Sequence, residues 1–131
     1  MSVTFHRAFD MTRDAMAALE CLVELGVDRV LTSGQEPTVL EGLDLITELV
    51  ERAGSRIIIM PGCGITPRNL RRIVETAKPP EIHVVGVAGQ ASPMRYRNER
   101  VYMGTELRSP EYTRTVTSAE RIRDFFRAGE N

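Results

Sequence analysis

Met60-Pro61-Gly62-Cys63-Gly64-Ile65-Thr66-Pro67 follows directly on the apolar run Ile57-Ile58-Ile59. The run reads as a buried strand, and the two glycines flanking Cys63 open a tight turn. Thr66 reads as a helix N-cap and Pro67 as the first helical residue. N–H groups at such a strand–turn–helix junction have no partner inside the helix. They suit an anion or a developing negative charge.

The same pattern recurs on both sides of this stretch. A short strand, Val3-Thr4-Phe5, leads to His6-Arg7-Ala8-Phe9-Asp10. A helix is expected over about 12–25, with Met16, Leu19, Leu22 and Val23 on its buried face and Gly26 as its stop. Cys21 falls inside it and reads as a small packing residue. A second strand, Arg29-Val30-Leu31-Thr32-Ser33-Gly34, ends in a small polar tip. Thr38-Val39-Leu40-Glu41 has the form of a capping box. The helix after it presents Val39, Leu43, Ile46, Val50 and Ala53 on one face. The helix after the glycine turn buries Leu70, Ile73, Val74 and Ala77 and stops before Pro79-Pro80. Glu81-Ile82-His83-Val84-Val85 is the fourth strand. Strand starts at Val3, Arg29, Arg56 and Glu81 are separated by 26, 27 and 25 residues. Strands and helices alternating at a steady period predict βαβ crossovers and a parallel sheet. The rhythm then breaks. Residues 87–116 are rich in Arg, Gly, Ser and Pro and read as a functional loop or a poorly ordered segment. Thr117-Ser118-Ala119-Glu120 offers another capping box, before a last helix with Ile122, Phe125 and Phe126 as its apolar face.

Four βα units make either a small open sheet or half of a (β/α)₈ barrel, and a whole barrel needs about 250 residues. Met1 sits directly on the first strand, and an uncovered strand edge invites pairing with another chain. The expected fold is therefore α/β: a parallel (βα)4 half of a TIM barrel with a C-terminal loop and helix. The 131 residues form one partial domain, with four strands and three helices over about 1–86 and loop plus terminal helix over 87–131.

Composition excludes several roles. At 42% hydrophobic and 27% charged, the chain is that of a globular protein, and its net charge of −1 exerts no general pull on nucleic acid or an anionic membrane. Four Phe, three Tyr and no Trp leave little for a base-stacking surface. The apolar runs are far too short to span a bilayer, and the first residues read as strand rather than as a signal peptide. Two widely separated cysteines, Cys21 and Cys63, point to a reducing cytoplasm and not to a disulfide framework.

Sites in parallel α/β sheets lie at the C-terminal ends of strands. The first tip offers His6, Arg7 and Asp10. Arg7 is a permanent cation whose forked donors suit a carboxylate or phosphate; the alternative is an ion pair with Asp10. His6 and Arg7 are adjacent, so while the strand lasts only one of them faces the site. The second tip offers Thr32, Ser33 and Gly34, either as a turn or as donors to an anion. The third offers Gly62, Cys63, Gly64 and Asn69, and the fourth His83. His83 is either a satisfied core histidine or a residue that exchanges a proton or binds the ligand. A thiol at a helix N-terminus, as at Cys63, is either reactive and able to hold a soft metal or a tolerated turn residue. No histidine or cysteine pair has metal-ligand spacing.

The phrases Val3-Thr4-Phe5-His6-Arg7-Ala8-Phe9-Asp10, Leu31-Thr32-Ser33-Gly34, Glu41-Gly42 and Ile59-Met60-Pro61-Gly62-Cys63-Gly64-Ile65 together resemble the CutC family of copper homeostasis proteins. Glu81-Ile82-His83, Met94-Arg95-Tyr96-Arg97 and Met103-Gly104 continue the match in order, over nearly the whole chain. The resemblance implies a TIM barrel about twice this length, of which this chain is the C-terminal half. It also implies a role in copper handling, with Cu(I) as the ion concerned. The family's copper-associated cysteines lie in its N-terminal half, so Cys21 and Cys63 do not inherit that role. The family's turn is usually Gly-Gly-Gly where this chain has Cys63 in the middle. A serine often stands two residues after the position of His83, where this chain has Val85.

The expected function is accordingly CutC-like copper homeostasis. Arg7 and His83 are the candidates for catalytic roles, and His6, Thr32, Ser33, Gly34, Gly62, Gly64 and Asn69 for ligand binding. Cys63 is the candidate copper ligand. The expected partners are a copper ion or small anionic ligand, and a second copy or a separate N-terminal half. A phosphate- or small-anion-binding barrel enzyme of isomerase or lyase type is the alternative, and a non-catalytic assembly partner a third reading.

Overall fold

Three parallel strands lie side by side in chain order: β1 (Thr4–Phe5), β2 (Arg29–Thr32) and β3 (Ile58–Pro61). Thr4 stands opposite Arg29, Arg29 opposite Ile58, and Thr32 opposite Pro61. The computed structural model describes residues 1–101, 103 and 111–130. The chain forms two compact units, one of Met1–Val85 with the last residues from Phe125, the other of Gly86–Asp124.

In the first unit the helices follow the strands as the period predicts. They are α1 (Ala15–Glu24), α2 (Leu43–Ala53) and α3 (Leu70–Ala77). Phe9, Leu19 and Leu22 pack with Val30, Leu49, Ala53, Ile57 and Ile59 in one core cluster. Val39, Leu43, Ile46, Ile65, Leu70, Ile73 and Ala77 form the next, with Ile82, Val84, Phe125 and Ala128 against it. Side chains alternate between the faces of a strand. The strand residues in these clusters all belong to one face. Arg29, Leu31, Ile58 and Met60 project from the other and are only half-buried. Helices thus cover one face of a sheet whose strands are in sequential order.

The helices begin later than the sequence suggests, each for a local reason. A 3-10 helix (Arg7–Met11) follows β1, and α1 starts only after Asp14, whose Oδ1 accepts the Ala17 N–H at 3.0 Å. Thr38 and Glu41 do bond, Glu41 accepting both the N–H and hydroxyl of Thr38 at 3.0 and 2.9 Å. They close a turn, however, and α2 begins at Leu43. Thr66 likewise opens a turn: its N–H donates to Asn69 Oδ1 at 2.7 Å, and α3 begins at Leu70.

Other expectations need correction. The fourth strand is reduced to one parallel bridge, His83 to Gly62. Cys21 is exposed, because α1 buries positions 15, 19 and 22. Val74 and Phe126 are exposed, and their helices bury fewer positions than the apolar period suggests.

In the second unit, β4 (Val87–Ala91) and β5 (Thr113–Thr117) form an antiparallel pair inside the stretch expected to be a loop. Ala88 and Val116, directly opposite each other, are its only partly buried strand residues. One weakly covered apolar pair leaves too little hydrophobic alternation to be visible in sequence. Beyond β4, the Tyr112 hydroxyl accepts the Asn98 N–H at 2.7 Å, and the Arg97 guanidinium lies 5.4 Å from the Tyr112 ring centre. Ser118 caps α4 (Ala119–Glu130) by accepting the Arg121 N–H at 3.3 Å. The Tyr102 and 104–110 part of the loop lies outside the described residues.

Candidate functional site

Asp10 is the centre of the strand-tip cluster. Its carboxylate accepts the Thr32 hydroxyl at 2.5 Å and the Ser33 N–H at 3.1 Å from each oxygen. It also accepts the Gln35 N–H at 3.2 Å and Arg7 Nε at 2.7 Å. The Asp10 side chain is 6% exposed. Burial works against its ionised form, but the bonds from Thr32, Arg7, Ser33 and Gln35 outweigh it and hold its pKa below the ordinary value. The sequence offers Asp10 at the first tip and as a possible partner of Arg7, but not as the centre of a cluster. Its contacts to Thr32, Ser33 and Gln35 span more than 20 residues each, and nothing local announces them.

Arg7 sits on this carboxylate with Nε. Its Nη2 donates to Ser33 Oγ at 2.6 Å and reaches the Glu36 carbonyl at 3.5 Å. Ser33 Oγ in turn donates its one proton to Glu36 O at 2.5 Å, with Asp10 Oδ2 at 3.0 Å as the alternative acceptor. The Arg7 side chain stays 41% exposed, and its Nη1 has no partner among the described residues. The hydrogen bond to Asp10 raises its pKa further, burial opposes this, and the charges of Asp10 and Cys63 add to the rise. Both the ion pair and an outward cationic edge are therefore present.

Thr32 and Ser33 are fully buried. Thr32 Oγ1 also accepts the Gly34 N–H at 2.9 Å. This tip is held against the turn before α2 by a close backbone approach. A Cβ on Gly42 would lie 2.1 Å from the Ser33 carbonyl oxygen, so only glycine fits there. Nothing in the sequence around Gly42 marks this contact, which joins it to Ser33 and Gly34.

At the third tip, Cys63 has φ 107°, a left-handed conformation that favours glycine. Its Sγ donates to the Pro37 carbonyl at 3.3 Å, and its carbonyl accepts the Val39 N–H at 3.1 Å. The N–H groups of Gly64 and Ile65 have no acceptor among the described residues, while that of Cys63 faces the His83 carbonyl across the parallel bridge. Asn69 is engaged in the turn: its amide donates to the Gly64 carbonyl at 2.9 Å. Gly62 is buried between Leu31 and His83, where a Cβ would come within 3.1 Å of His83 Cβ.

Neither histidine is among the hydrogen-bond partners of Asp10. His6 is exposed and caps the 3-10 helix, its Nδ1 accepting the Ala8 N–H at 3.0 Å. His83 is exposed on the edge beyond β3. Among the described residues, no group of three or more His, Cys, Asp or Glu is arranged to hold a metal ion. A separate cavity of about 330 Å³ opens at the opposite strand ends, lined by Ser2, Asp28, Arg29 and Arg56. Arg29 is forked onto Glu81 at 2.6 and 2.8 Å and Arg56 onto Glu20 at 2.6 and 3.1 Å, so its arginines are already paired.

Parallel βα units with a polar cluster at the strand tips place the chain among α/β proteins whose sites lie where strands end. The CutC family model matches residues 1–88, and the chain belongs to the CutC family. It is 50% identical over 123 residues to the human "Copper homeostasis protein cutC homolog", covering 94% of this chain and 45% of that protein. A CutC family protein of Parabacteroides distasonis is 46% identical over 125 residues, covering 95% and 51%. The crystal structure of the putative copper homeostasis protein CutC from Streptococcus agalactiae superposes with a TM-score of 0.60 at 33% identity, over 63% of this chain and 41% of that one. The chain spans about half the length of the curated relatives it matches. Among the described residues no helix is long and apolar enough to cross a membrane.

Proposed function

We propose that this chain serves copper homeostasis as a four-unit half of a closed βα barrel, with a strand-tip site that binds a small anion through Arg7. On this reading residues 1–86 supply the four strand positions and three helices, and 87–131 the appended loop and terminal helix. The observation that carries the anion site is the Arg7 fork. Asp10 and Ser33 fix two of its three nitrogens and leave Nη1 outward. Fixing a guanidinium beforehand lowers the entropy cost of ligand binding. The unpartnered N–H groups of Gly64 and Ile65 supply further donors. His83 would take a proton or a polar group of the ligand from the neighbouring edge, and His6 would border the first tip.

Copper enters as the ion that the relatives' names concern. Cys63 is the thiol at the third strand tip, and the described residues do not gather a ligand set around it. Copper would be cargo, and no step of the anion site depends on it. Two free thiols fit the reducing cytoplasm proposed for the chain.

Thermal unfolding in phosphate against chloride of equal ionic strength tests the anion site. Phosphate should raise the midpoint, and Arg7→Ala should abolish the rise; an unchanged wild-type midpoint overturns the site. Cu(I) titration under reducing conditions tests the thiol, and equal affinity in Cys63→Ser removes it.

A further inference from the structure

We propose that Gln35 is the positioning residue of the strand-tip site: its side-chain amide grips the end of the 3-10 helix and so aims the Arg7 guanidinium at the anion. The inference rests on the anion-site reading above and adds the residue that holds its cation in place.

Arg7 and Asp10 ride on a five-residue 3-10 helix, Arg7–Met11. A helix of this kind is short and weakly bonded, so its direction is set from outside. Phe9, fully buried in the core, pins it at one point. A single pin leaves the helix free to swing, and Arg7 with it. Gln35 supplies two further points from the loop after β2. Its backbone N–H donates to Asp10 Oδ1 at 3.2 Å. Its Nε2 donates to the Thr12 carbonyl at 2.6 Å and to Thr12 Oγ1 at 3.2 Å. Thr12 caps the helix, its N–H and hydroxyl donating to the Phe9 carbonyl at 3.1 and 2.7 Å. The Thr12 carbonyl can only accept, so the amide nitrogen of Gln35 is the end that faces it.

The backbone indicates what this side chain is kept for. Gln35 has φ 58°, in the left-handed region that favours glycine, and Gly34 before it has φ 75°. A glycine at position 35 would make the same turn without strain and keep the N–H to Asp10. Of the hydrogen bonds Gln35 makes among the described residues, only those to Thr12 would be lost. Strain held at one residue beside a site points to a role for that residue. Arg7 is where the role acts. Its Nε and Nη2 are fixed by Asp10 and Ser33, and the direction of Nη1 follows from theirs.

The test is nuclear magnetic resonance of the full chain with Gln35→Met, which keeps the length and loses the donor, and Gln35→Gly, which suits the backbone. The Arg7 Nε–H signal is assigned by its loss in Arg7→Lys. In both variants its exchange with water should quicken at least about fivefold, roughly the worth of one net hydrogen bond. Phosphate, titrated against chloride of equal ionic strength, should bind both variants at least about fivefold more weakly than wild type. If wild type binds phosphate and both variants bind it equally well, Gln35 is a brace of the fold alone; that overturns the proposal and leaves the anion site. Weakening in Gln35→Gly but not in Gln35→Met assigns the effect to bulk rather than to the amide and overturns it too. Quicker exchange in the variants, with a wild type that phosphate does not bind, upholds the positioning of Arg7 and overturns the anion site. A measurement on wild type alone covers the event that a variant misfolds: the Gln35 side-chain amide should exchange slowly, and free exchange overturns the bridge to Thr12.

Discussion

The Ser33 backbone N–H lies 3.1 Å from both carboxylate oxygens of Asp10, joining the end of β2 to the 3-10 helix after β1 across 23 residues of chain. This contact and the Thr32 hydroxyl convert two separate strand tips into one polar cluster. Arg7 is oriented as a consequence, since its fork closes on Asp10 and on Ser33 together.

Removing the carboxylate should therefore destabilise more than an exposed ion pair would. Asp10→Ala leaves the Ser33 and Gln35 N–H groups and the Thr32 hydroxyl without their acceptor. The expected loss is about 3 kcal/mol. Urea unfolding measures it, and a loss below about 1 kcal/mol would show that water replaces these bonds. Asp10→Asn should lose less, because its amide oxygen still accepts.

Cys63 carries strain that a glycine would relieve. With φ at 107°, Cys63→Gly should stabilise the fold by about 1 kcal/mol. The more flexible unfolded chain offsets part of this gain. Thermal unfolding checks the sign, and destabilisation would mean that the thiol bond to Pro37 outweighs the strain.

Gly42 should tolerate no side chain. The Ser33 carbonyl stands 2.1 Å from where a Cβ would be, and the obstacle is backbone that cannot rotate aside. Gly42→Ala is expected to cost about 3 kcal/mol or prevent folding, whereas the same change at Gly26, with nothing within 4 Å, should cost only its left-handed φ.

Acid should weaken the fold through Glu20 and Asp10. Arg56 and Arg52 bring the Glu20 pKa from its ordinary 4.5 to about 2. The folded state thus binds this proton less readily than the unfolded state. The stabilisation is complete above about pH 4.5 and is lost as pH falls toward 2. Asp10, shifted in the same direction despite its burial, adds to that acid limb. Midpoints measured across this range should fall, and Glu20→Gln should flatten the fall while lowering stability at neutral pH.

The βα order and the helix-covered face were legible because they depend on local spacing. Leu19, Leu22, Leu43, Ile46 and Ala53 occupy positions that helical spacing assigns to a core, whereas Leu49, which that spacing passes over for Val50, is fully buried. The late helix starts were not legible, since Thr38 and Thr66 carry N-cap chemistry that here closes turns instead. At the site, the chemistry of Arg7 was visible, and of its two readings the ion pair with Asp10 is present. Asn69 looked like a ligand donor and is occupied within its own turn.

By itself the sequence determined the succession of parallel βα units, the strand-tip location of the polar residues and membership of the CutC family. These follow from hydrophobic period, glycine punctuation and phrases that persist in order along the chain. Only the tertiary structure decided that Asp10 gathers Thr32, Ser33, Gln35 and Arg7, that Gly42 must be glycine, and that the fourth strand is one bridge at His83. Each of these depends on atoms brought together from distant parts of the chain, where hydrogen-bond geometry and close contact, rather than residue type, select the outcome.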